Sequence, residues 1–332
     1  MRDFYELSPA GRVRRVRRVA TRALEAYDVE VRAVRLLTNE MNGIFRVDAT
    51  DGRRFALRVG RGGQVGHSVR QVRSETEWLA ALVRDTDLRV SAPVPNVAGD
   101  TVTEVEVDGV PGRRNCVLFR WLPGRLLDRD LSRANMAMYG ALAARLHEHA
   151  ERFEPSPGFD IVRYDRVFPF DEPVVLFDEG RSTFVSEAQR DVFAAAAAIV
   201  QQAIDELHLR EPMRVLHGDL HRWNVLIDGG EAAAFDFEDL VWGWPVQDLA
   251  IALYYLADEP DHLSLRAAFR AGYERVRPWP DTTGMAIDRF IAGRALVLAN
   301  DVELLEEPEY RAKAPEWIAR FERRVRRILE RP

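Results

Sequence analysis

A break in the helical pattern marks the second half of the chain. Residues 215–240, VLHGDLHRWNVLIDGGEAAAFDFEDL, carry two short alternating runs, at 225–228 and 232–237, between segments whose apolar spacing predicts helices. Gly229-Gly230 joins the two runs and is a strong signal for a hairpin turn. We therefore predict a small β-hairpin within a mainly helical region, with a polar loop directly before it.

The first third of the chain is patterned for strands rather than helices. Alternating apolar residues and turn signals predict five strands. These strands cover residues 32–37, 44–49, 55–59, 102–107 and 115–120. Pro123-Gly124 then breaks the chain, and the later residues are mostly helical in pattern. We predict an α+β protein of two lobes, with a small antiparallel-sheet N-lobe over residues 30–121 and a mostly helical C-lobe over residues 122–332.

An arginine-rich amphipathic helix is predicted to precede the sheet, in a segment of residues 1–29. Ser8 followed by Pro9 is a favourable start for a helix, and apolar residues at spacings of three and four continue to about Tyr27. Arginines fill much of the remaining helix surface, at positions 12, 14, 15, 17, 18 and 22. Two interpretations stay open: a solvated charged face, or a surface that docks an anionic partner.

Composition narrows the classes of protein that remain. The 332 residues carry a net charge of −6, which gives no general signal for nucleic-acid binding. Cys116 is the only cysteine, so no intrachain disulfide can form. The longest apolar stretches fall far short of the roughly 20 residues that a bilayer requires, and the N-terminus shows no apolar secretory segment. We expect a cytoplasmic protein that binds neither membranes nor nucleic acids.

The polar loop before the hairpin has a spacing that suits phosphoryl transfer. Asp219 is followed five residues later by Asn224, as in the catalytic loop of protein kinases, where the asparagine binds Mg²⁺. The hairpin is expected to return Asp236 beside Asn224, so that both can offer oxygen ligands to one Mg²⁺ ion. Asp219 would accept or orient the proton of an acceptor hydroxyl group, and His221 could reach the transferring phosphate. His217 is interpreted as a structural brace beneath the loop.

Two other interpretations fit parts of the same loop. His217, Asp219 and His221 resemble half of the zinc site of a metal hydrolase, although no other histidine falls in a matching motif. Alternatively, these polar residues only cap strands and helices. Four suitably spaced groups around a hairpin favour phosphoryl transfer over both.

The motifs HGDLHRWN, FDFED and WPVQDLA together resemble those of the aminoglycoside phosphotransferase and choline kinase-like family. The resemblance covers about residues 30–305, and FDFED is most similar to the stress-response protein kinase and type II homoserine kinase branch. Membership would imply a protein-kinase-like fold, ATP as the phosphoryl donor and Mg²⁺ as a cofactor. It would also imply that Asp248, in WPVQDLA, braces the catalytic loop.

The same resemblance assigns a phosphate-binding residue in the N-lobe. Alternation along residues 55–59 places Arg58 on the face where kinases carry a lysine that holds the α- and β-phosphates. Lys313 is the only lysine and lies far along the chain, so Arg58 takes that role. Arginine also binds phosphate, often with two hydrogen bonds. Glu75 is the favoured partner of Arg58, and Glu77 is the alternative.

The resemblance also indicates residues around the phosphates and the adenine. The loop 38–43 would cover the phosphates, with Asn42 and Gly43 as the best candidates for close backbone approach. The strand and hinge that include Phe119 and Trp121 would supply backbone contacts to adenine. These assignments follow from the resemblance, since the loop lacks a full glycine-rich signature.

The sequence leaves the acceptor open. Aromatic residues in and after the catalytic segment either line a pocket for a cationic or ring-bearing acceptor or pack in the core. They are Trp223, Trp242, Trp244, Tyr254 and Tyr255. Asp301 and its acidic neighbours would suit an amine, but acidic helix faces are usually only solvated. We predict a kinase for a hydroxyl group of a small molecule such as an amino alcohol, a sugar or an aminoglycoside; a protein Ser/Thr kinase and a nucleotide-binding regulator are the alternatives.

Overall fold

The structure is a computed structural model, and it describes residues 3–62, 66–281 and 286–330. The chain divides into two compact units. Unit 1 comprises Met1–Arg125, Phe153–Asp160 and Ala233–Glu238, and unit 2 comprises Leu126–Arg152, Ile161–Ala232 and Asp239–Pro332. Two later segments of the chain therefore return to unit 1 after its N-terminal part is complete.

Unit 1 contains a sheet and two helices. The elements are α1 (Pro9–Leu24), β1 (Val31–Asn39), β2 (Gly43–Ala49), β3 (Arg54–Val59), α2 (Val69–Asp85), β4 (Arg89–Val90), β5 (Thr103–Val105) and β6 (Arg114–Arg120). Five of the strands form an antiparallel sheet in the order β1-β2-β3-β6-β5. Strand β4 instead pairs in parallel with Ala233 and Ala234 of a returning segment. The predicted antiparallel sheet in the N-terminal region is confirmed.

Helix α1 belongs to the core of unit 1. It begins as predicted: Pro9 is in the first turn, and the Ser8 hydroxyl accepts a hydrogen bond from the backbone N–H of Gly11. Its apolar stripe packs against one face of the sheet. The buried residues of this contact are Val16, Val19, Ala20, Ala23 and Leu24 of the helix and Phe45, Val47, Phe55, Leu57 and Val59 of the sheet. The helix ends at Leu24, earlier than predicted, because the chain turns there with a hydrogen bond from Tyr27 N–H to the Leu24 carbonyl.

Part of the arginine face of α1 makes contacts within unit 1. Arg15 donates a hydrogen bond to the carbonyl oxygen of Gly109, and Arg18 donates to that of Asp108 at 3.3 Å. The helix is therefore tied to the chain before β6 by polar contacts as well as by apolar packing.

Unit 2 is mostly helical. Its helices are a short 3₁₀ helix (Leu127–Arg129), α3 (Arg133–Arg152), α4 (Glu187–Arg210), α5 (Pro245–Tyr254), α6 (His262–Glu274), α7 (Ala286–Glu303), α8 (Pro308–Arg311) and α9 (Ala314–Leu329). The strands from here on are β7 (Arg125–Leu126), β8 (Val162–Arg163), β9 (Arg214–Leu216), β10 (Val225–Asp228), β11 (Glu231–Ala234) and β12 (Val241–Gly243). Strand β12 pairs with β9 in antiparallel and with β8 in parallel orientation. Helix α5 is buried along its whole length.

The segment that interrupts the helices contains the predicted turn. Gly229 and Gly230 join β10 to β11 with φ angles of +59° and +85°, a region that favours glycine. Strand β11 ends at Ala234, before the predicted end at 237, because Asp236 has a φ angle of +65°, which an extended strand does not adopt. Asp236 is the only non-glycine residue with positive φ in the part of the chain that the structure describes.

The predicted α+β class is confirmed: the sheet lies in the N-terminal region, and helices dominate most of the remainder. No helix within the described ranges is long and apolar enough to cross a membrane.

Candidate active site

The loop that carries Asp219 is fixed by a buried carboxylate of α5. Asp248 accepts hydrogen bonds from the backbone N–H groups of His217 (3.0 Å) and Gly218 (2.9 Å). Gly218 has a φ angle of +81°, and a Cβ atom there would lie 1.8 Å from the carbonyl oxygen of Asp239, so only glycine fits. The predicted bracing role of Asp248 is confirmed.

A buried polar network supports the same loop from behind. His147 lies with Nε2 3.3 Å from Asp248 Oδ2 and with Nδ1 3.0 Å from the hydroxyl of Tyr273. The hydroxyl of Tyr139 donates a hydrogen bond to the Leu220 carbonyl oxygen. Because a buried polar group without a partner is costly, this network favours one conformation of the loop.

Both carboxylate oxygens of Asp219 are engaged. Oδ1 lies 2.8 Å from Arg294 Nη2, whereas Oδ2 lies 3.2 Å from His221 Nε2 and 3.3 Å from Asn224 Nδ2. Burial alone would raise the pKa of Asp219, but the hydrogen bond from His221 and the positive charge of Arg294 outweigh it and lower that pKa. Asp219 is therefore an ionised carboxylate held in a defined orientation.

Arg294 was not among the predicted site residues. It extends from α7 and also lies 3.0 Å from the Tyr255 hydroxyl. Burial would lower the pKa of Arg294, but Tyr255 and Asp219 raise it above its ordinary value. The sequence did carry a signal, since Arg294 is a lone charge in the apolar run IAGRALVLA of α7.

Three rings cluster beside Asp219. His221, Trp223 and Tyr255 contact one another edge to face, with centroid separations of 5.0 to 5.4 Å. Trp223 is exposed, and the guanidinium of Arg222 lies over its ring at 4.6 Å. By contrast, Trp244 and Tyr254 are buried, so core packing accounts for those two members of the predicted aromatic set.

In unit 1, Arg58 pairs with Glu75. The guanidinium donates two hydrogen bonds to the two carboxylate oxygens, and both residues are buried. Glu77 instead accepts hydrogen bonds from the backbone N–H and hydroxyl of Ser156 (2.7 and 2.8 Å). The preference for Glu75 over Glu77 as the partner of Arg58 is confirmed.

A second carboxylate approaches Arg58. Glu238 Oε2 lies 3.6 Å from Arg58 Nη1 and also accepts a hydrogen bond from Asn42 Nδ2. Burial opposes the charge of Arg58, but Glu75, Glu238 and Asp236 raise its pKa above the ordinary value. Arg58 is therefore always positively charged and lies between the carboxylates of Glu75 and Glu238. Glu238 was not predicted from the sequence as a partner of Arg58.

Gly43 has a packing reason to be glycine. A Cβ atom there would lie 2.7 Å from Val16 Cγ1 of α1 and 3.2 Å from the ring of Phe45. The predicted approach of Gly43 to phosphates is not needed to explain the residue type, and it stays a prediction.

Phe119 is the second-last residue of β6, and Trp121 directly follows that strand. The guanidinium of Arg58 lies over the Phe119 ring, 5.4 Å from its centroid. The backbone N–H of Trp121 donates to the Arg54 carbonyl oxygen at 3.2 Å, so a contact from Trp121 to adenine would not use this N–H.

The predicted metal ligands lie in different units. Asn224 is buried and donates from Nδ2 to the backbone and side-chain oxygens of Asp219, which leaves its amide oxygen for a cation. Asp236 is exposed. An amide oxygen and a carboxylate are the hard ligands that Mg²⁺ prefers. Within the described ranges, no group of three or more His, Cys, Asp or Glu residues could hold a metal ion, so the zinc-hydrolase alternative gains no support.

The sheet with its buried Arg58–Glu75 pair and the loop that presents Asp219 define a phosphotransferase of the protein-kinase-like class. The chain belongs to the phosphotransferase enzyme family, whose model matches residues 34–286.

Several individual proteins are similar to this chain. A protein of Deinococcus radiodurans is 30% identical over 280 residues, which make up 82% of this chain and 77% of that protein. Amicoumacin kinase of Bacillus subtilis is 25% identical over 242 residues, 71% of this chain and 67% of that protein. The solved structure of a microcompartment-associated aminopropanol kinase superposes with a TM-score of 0.81 at 25% identity and covers 94% of this chain and 97% of that one. The predicted family, fold class and enzyme class are confirmed.

Proposed function

We propose that the protein transfers the γ-phosphoryl group of ATP to a hydroxyl group of a small amino alcohol. The observation that carries the proposal is the ionised Asp219 carboxylate, held by Arg294 and His221 beside a cluster of aromatic rings. A carboxylate in this setting can bind an acceptor hydroxyl, and aromatic rings beside it can bind a cationic acceptor.

Asp219 acts on the acceptor in this proposal. It orients the hydroxyl group and takes its proton while the acceptor oxygen bonds to the γ-phosphorus and the bond from that phosphorus to the β-phosphate oxygen breaks. ADP is the leaving group. His221, whose Nε2 already contacts Asp219, interacts with the transferring phosphoryl group.

Unit 1 supplies the nucleotide contacts in this proposal. Arg58, oriented by Glu75, binds the α- and β-phosphates in place of the usual lysine. Asn42 and Gly43 belong to the loop over the phosphates, and Phe119 and Trp121 lie beside the adenine.

Asn224 and Asp236 are the proposed ligands of Mg²⁺. Bound Mg²⁺ neutralises charge on the β- and γ-phosphates. Asn224 contributes its amide oxygen, and Asp236 contributes a carboxylate on a backbone held in the left-handed conformation. The motif spacing supports this pair of ligands. A cytoplasmic location is also part of the proposal, because a single cysteine suits a reducing compartment.

An amine on the acceptor is favoured by Asp301. This residue lies on α7 two turns after Arg294, on the same side of the helix. The residue as a whole is exposed. Partial burial of its carboxyl group nevertheless raises the pKa of Asp301 to about 6, because burial disfavours the charged form. Asp301 is thus a carboxylate near the site that can attract an ammonium group, and the similarity to an aminopropanol kinase points the same way.

The proposal is tested by Mg²⁺-dependent ATP consumption with a panel of acceptors. The panel contains amino alcohols, the matching alcohols without an amine, sugars, aminoglycosides and generic protein substrates. We expect turnover with an amino alcohol and little with the amine-free analogue, and a fall in turnover of roughly 10²–10⁴-fold in Asp219→Asn. Turnover with protein substrates alone would contradict the proposal and favour a protein Ser/Thr kinase.

A further inference from the structure

Unit 1 contains a cavity apart from the Arg58–Glu75 pair. Its volume is about 380 Å³. Its walls come from the N-terminal residues, α1, the loop between β1 and β2, and the chain that follows β3. Val59 lines the cavity, whereas Arg58 points to the other face of β3 because successive side chains of a strand alternate. The cavity is therefore on the face of the sheet that α1 covers.

Arg114 occupies a position on that face where an apolar residue is expected. Further along β6, Cys116 and Leu118 lie in the core cluster that includes α1, and alternation places Arg114 on the same side. Arg114 is only 7% exposed and lines the cavity. Burying a charge without a counter-charge is unfavourable, so packing alone does not explain why an arginine occupies position 114.

The guanidinium of Arg114 is only partly satisfied. Nη1 donates to the Gly60 carbonyl oxygen at 3.2 Å, and the group lies over the ring of Phe4. Among residues 3–62, 66–281 and 286–330, Nε finds no hydrogen-bond acceptor and no carboxylate pairs with Arg114. Burial lowers the pKa of Arg114, and the charge of Arg61 adds to this effect. An anion in the cavity would supply the missing counter-charge.

Two further arginines line the same cavity. Arg61 donates from Nε to the Met41 carbonyl oxygen (2.7 Å) and from Nη2 to that of Glu40 (3.0 Å), which leaves Nη1 for a ligand. Arg12, on α1, makes no ion pair with any residue that the structure describes. Of the lining residues that the structure describes, Glu40 alone carries a carboxylate, and it is exposed. The cavity is therefore strongly cationic.

We propose that this cavity binds a small phosphate-bearing anion, with Arg12, Arg61 and Arg114 as its ligands. Guanidinium groups form charge-assisted, often bidentate hydrogen bonds with phosphate oxygens. The volume accommodates a phosphate group together with a short attached chain. Through its hydrogen bonds to Glu40 and Met41, Arg61 places the anion next to the loop that is proposed to cover the nucleotide.

Calorimetric titration of the full chain tests the proposal. Inorganic phosphate and, separately, glycerol 3-phosphate are titrated at constant ionic strength, each with and without saturating Mg·AMP-PNP. We expect saturable binding of at least one anion that the nucleotide does not displace, and the tighter of the two shows whether the free ion or a monoester is preferred. Arg114→Met should weaken this binding at least tenfold, about 1.4 kcal/mol.

Two further variants show whether anion binding depends on the arginines of this cavity. Arg113→Met is the matched control, because Arg113 is adjacent in sequence, has a side chain that is 62% exposed and pairs with Glu104 at 3.4 Å; it should bind the anion as the wild type does. Arg12→Glu reverses a charge on the helix surface, so it should fold even if Arg114→Met does not, and it should also lose the binding. Absence of saturable binding to the wild type, or equal affinities in wild type, Arg12→Glu and Arg114→Met, would overturn the proposal.

Discussion

At the scale of single residues, substitutions of Arg58 in its buried pair with Glu75 test the proposed nucleotide site. Removing one partner of a buried pair typically costs about 3–5 kcal/mol, because the other charge is left uncompensated. Arg58→Lys keeps the charge but loses the second hydrogen bond to Glu75. We therefore expect this variant to fold and to show a KM for ATP raised about tenfold, about 1.4 kcal/mol, with a smaller change in the KM for the acceptor, in initial-rate kinetics.

Arg53→Lys is the control for this prediction. Arg53 lies just before β3, and its side chain is 58% exposed, so its kinetics should match those of the wild type. Arg58→Ala should be less stable and should show a still higher KM for ATP. A folded Arg58→Ala protein with unchanged ATP kinetics would remove Arg58 from the nucleotide site.

Arg294 provides a second test at this scale. In the proposed mechanism, its contact with Asp219 Oδ1 orients the carboxylate toward the acceptor, and this contact does not involve unit 1. Arg294→Met keeps much of the side-chain volume and removes the charge, so we expect a fall in kcat of roughly tenfold to a hundredfold, the scale of a charged hydrogen bond of about 1.5–3 kcal/mol. The KM for ATP should stay near the wild-type value. Arg294→Lys should recover part of kcat, and full activity in Arg294→Met would show that Asp219 needs no such partner.

Asp301 predicts a pH dependence. Its pKa of about 6 means that the carboxylate predominates above that pH and the neutral acid below it. The amine of an amino alcohol stays protonated over this range, so attraction to Asp301 should be present above the pKa and lost below it. We expect the KM for the amino alcohol to fall as pH rises from about 5 to about 7. Asp301→Asn should abolish this dependence, and the same profile in that variant would exclude Asp301 from acceptor binding.

At the scale of elements, the contact between α1 and β2 explains Gly43. A Cβ atom at position 43 would lie 2.7 Å from Val16 Cγ1, and the branched valine side chain cannot easily move away. We expect Gly43→Ala to destabilise the protein by about 1–3 kcal/mol, as other overpacking substitutions do. The substitution Val16→Ala should lower the free energy of unfolding by less in the Gly43→Ala protein than in the wild type. A double-mutant cycle in urea unfolding would measure this difference. Additive effects would refute the packing explanation.

The elements also show how far the sequence predicts this fold. Strand alternation and the Gly229-Gly230 turn are local patterns, and both are present in the structure. The brace from Asp248 spans 31 positions and was expected only from the family resemblance; it is present as well. Arg294 and Glu238 were not predicted because their partners are distant in sequence. Arg294 pairs with Asp219 across 75 positions of the chain, and Glu238 approaches Arg58 across 180 positions. Such pairings depend on tertiary packing, which local periodicity does not encode.

At the scale of the whole molecule, ligand-linked stability separates the roles of Asp219 and Asp236. A ligand present at 100 times its Kd stabilises a folded protein by about 2.7 kcal/mol. Thermal unfolding with Mg·AMP-PNP should show this stabilisation in the wild type and in Asp219→Asn, because Asp219 contacts the acceptor rather than the nucleotide in the proposed mechanism. Turnover in Asp219→Asn should nevertheless fall by roughly 10²–10⁴-fold, the usual contribution of a general base.

Asp236→Asn should fail in a different way. It removes the charge that is proposed to hold Mg²⁺ on the phosphates, so both turnover and the stabilisation by Mg·AMP-PNP should be lost, while AMP-PNP without Mg²⁺ should affect the variant and the wild type alike. Asp228→Asn, at the end of β10, is a control for the loss of a carboxylate near the same turn.

If a folded Asp219→Asn protein gains no stability from Mg·AMP-PNP, Asp219 also takes part in nucleotide binding. Stoichiometric zinc in the wild type that is lost on changing His217 would instead restore the metal-hydrolase interpretation.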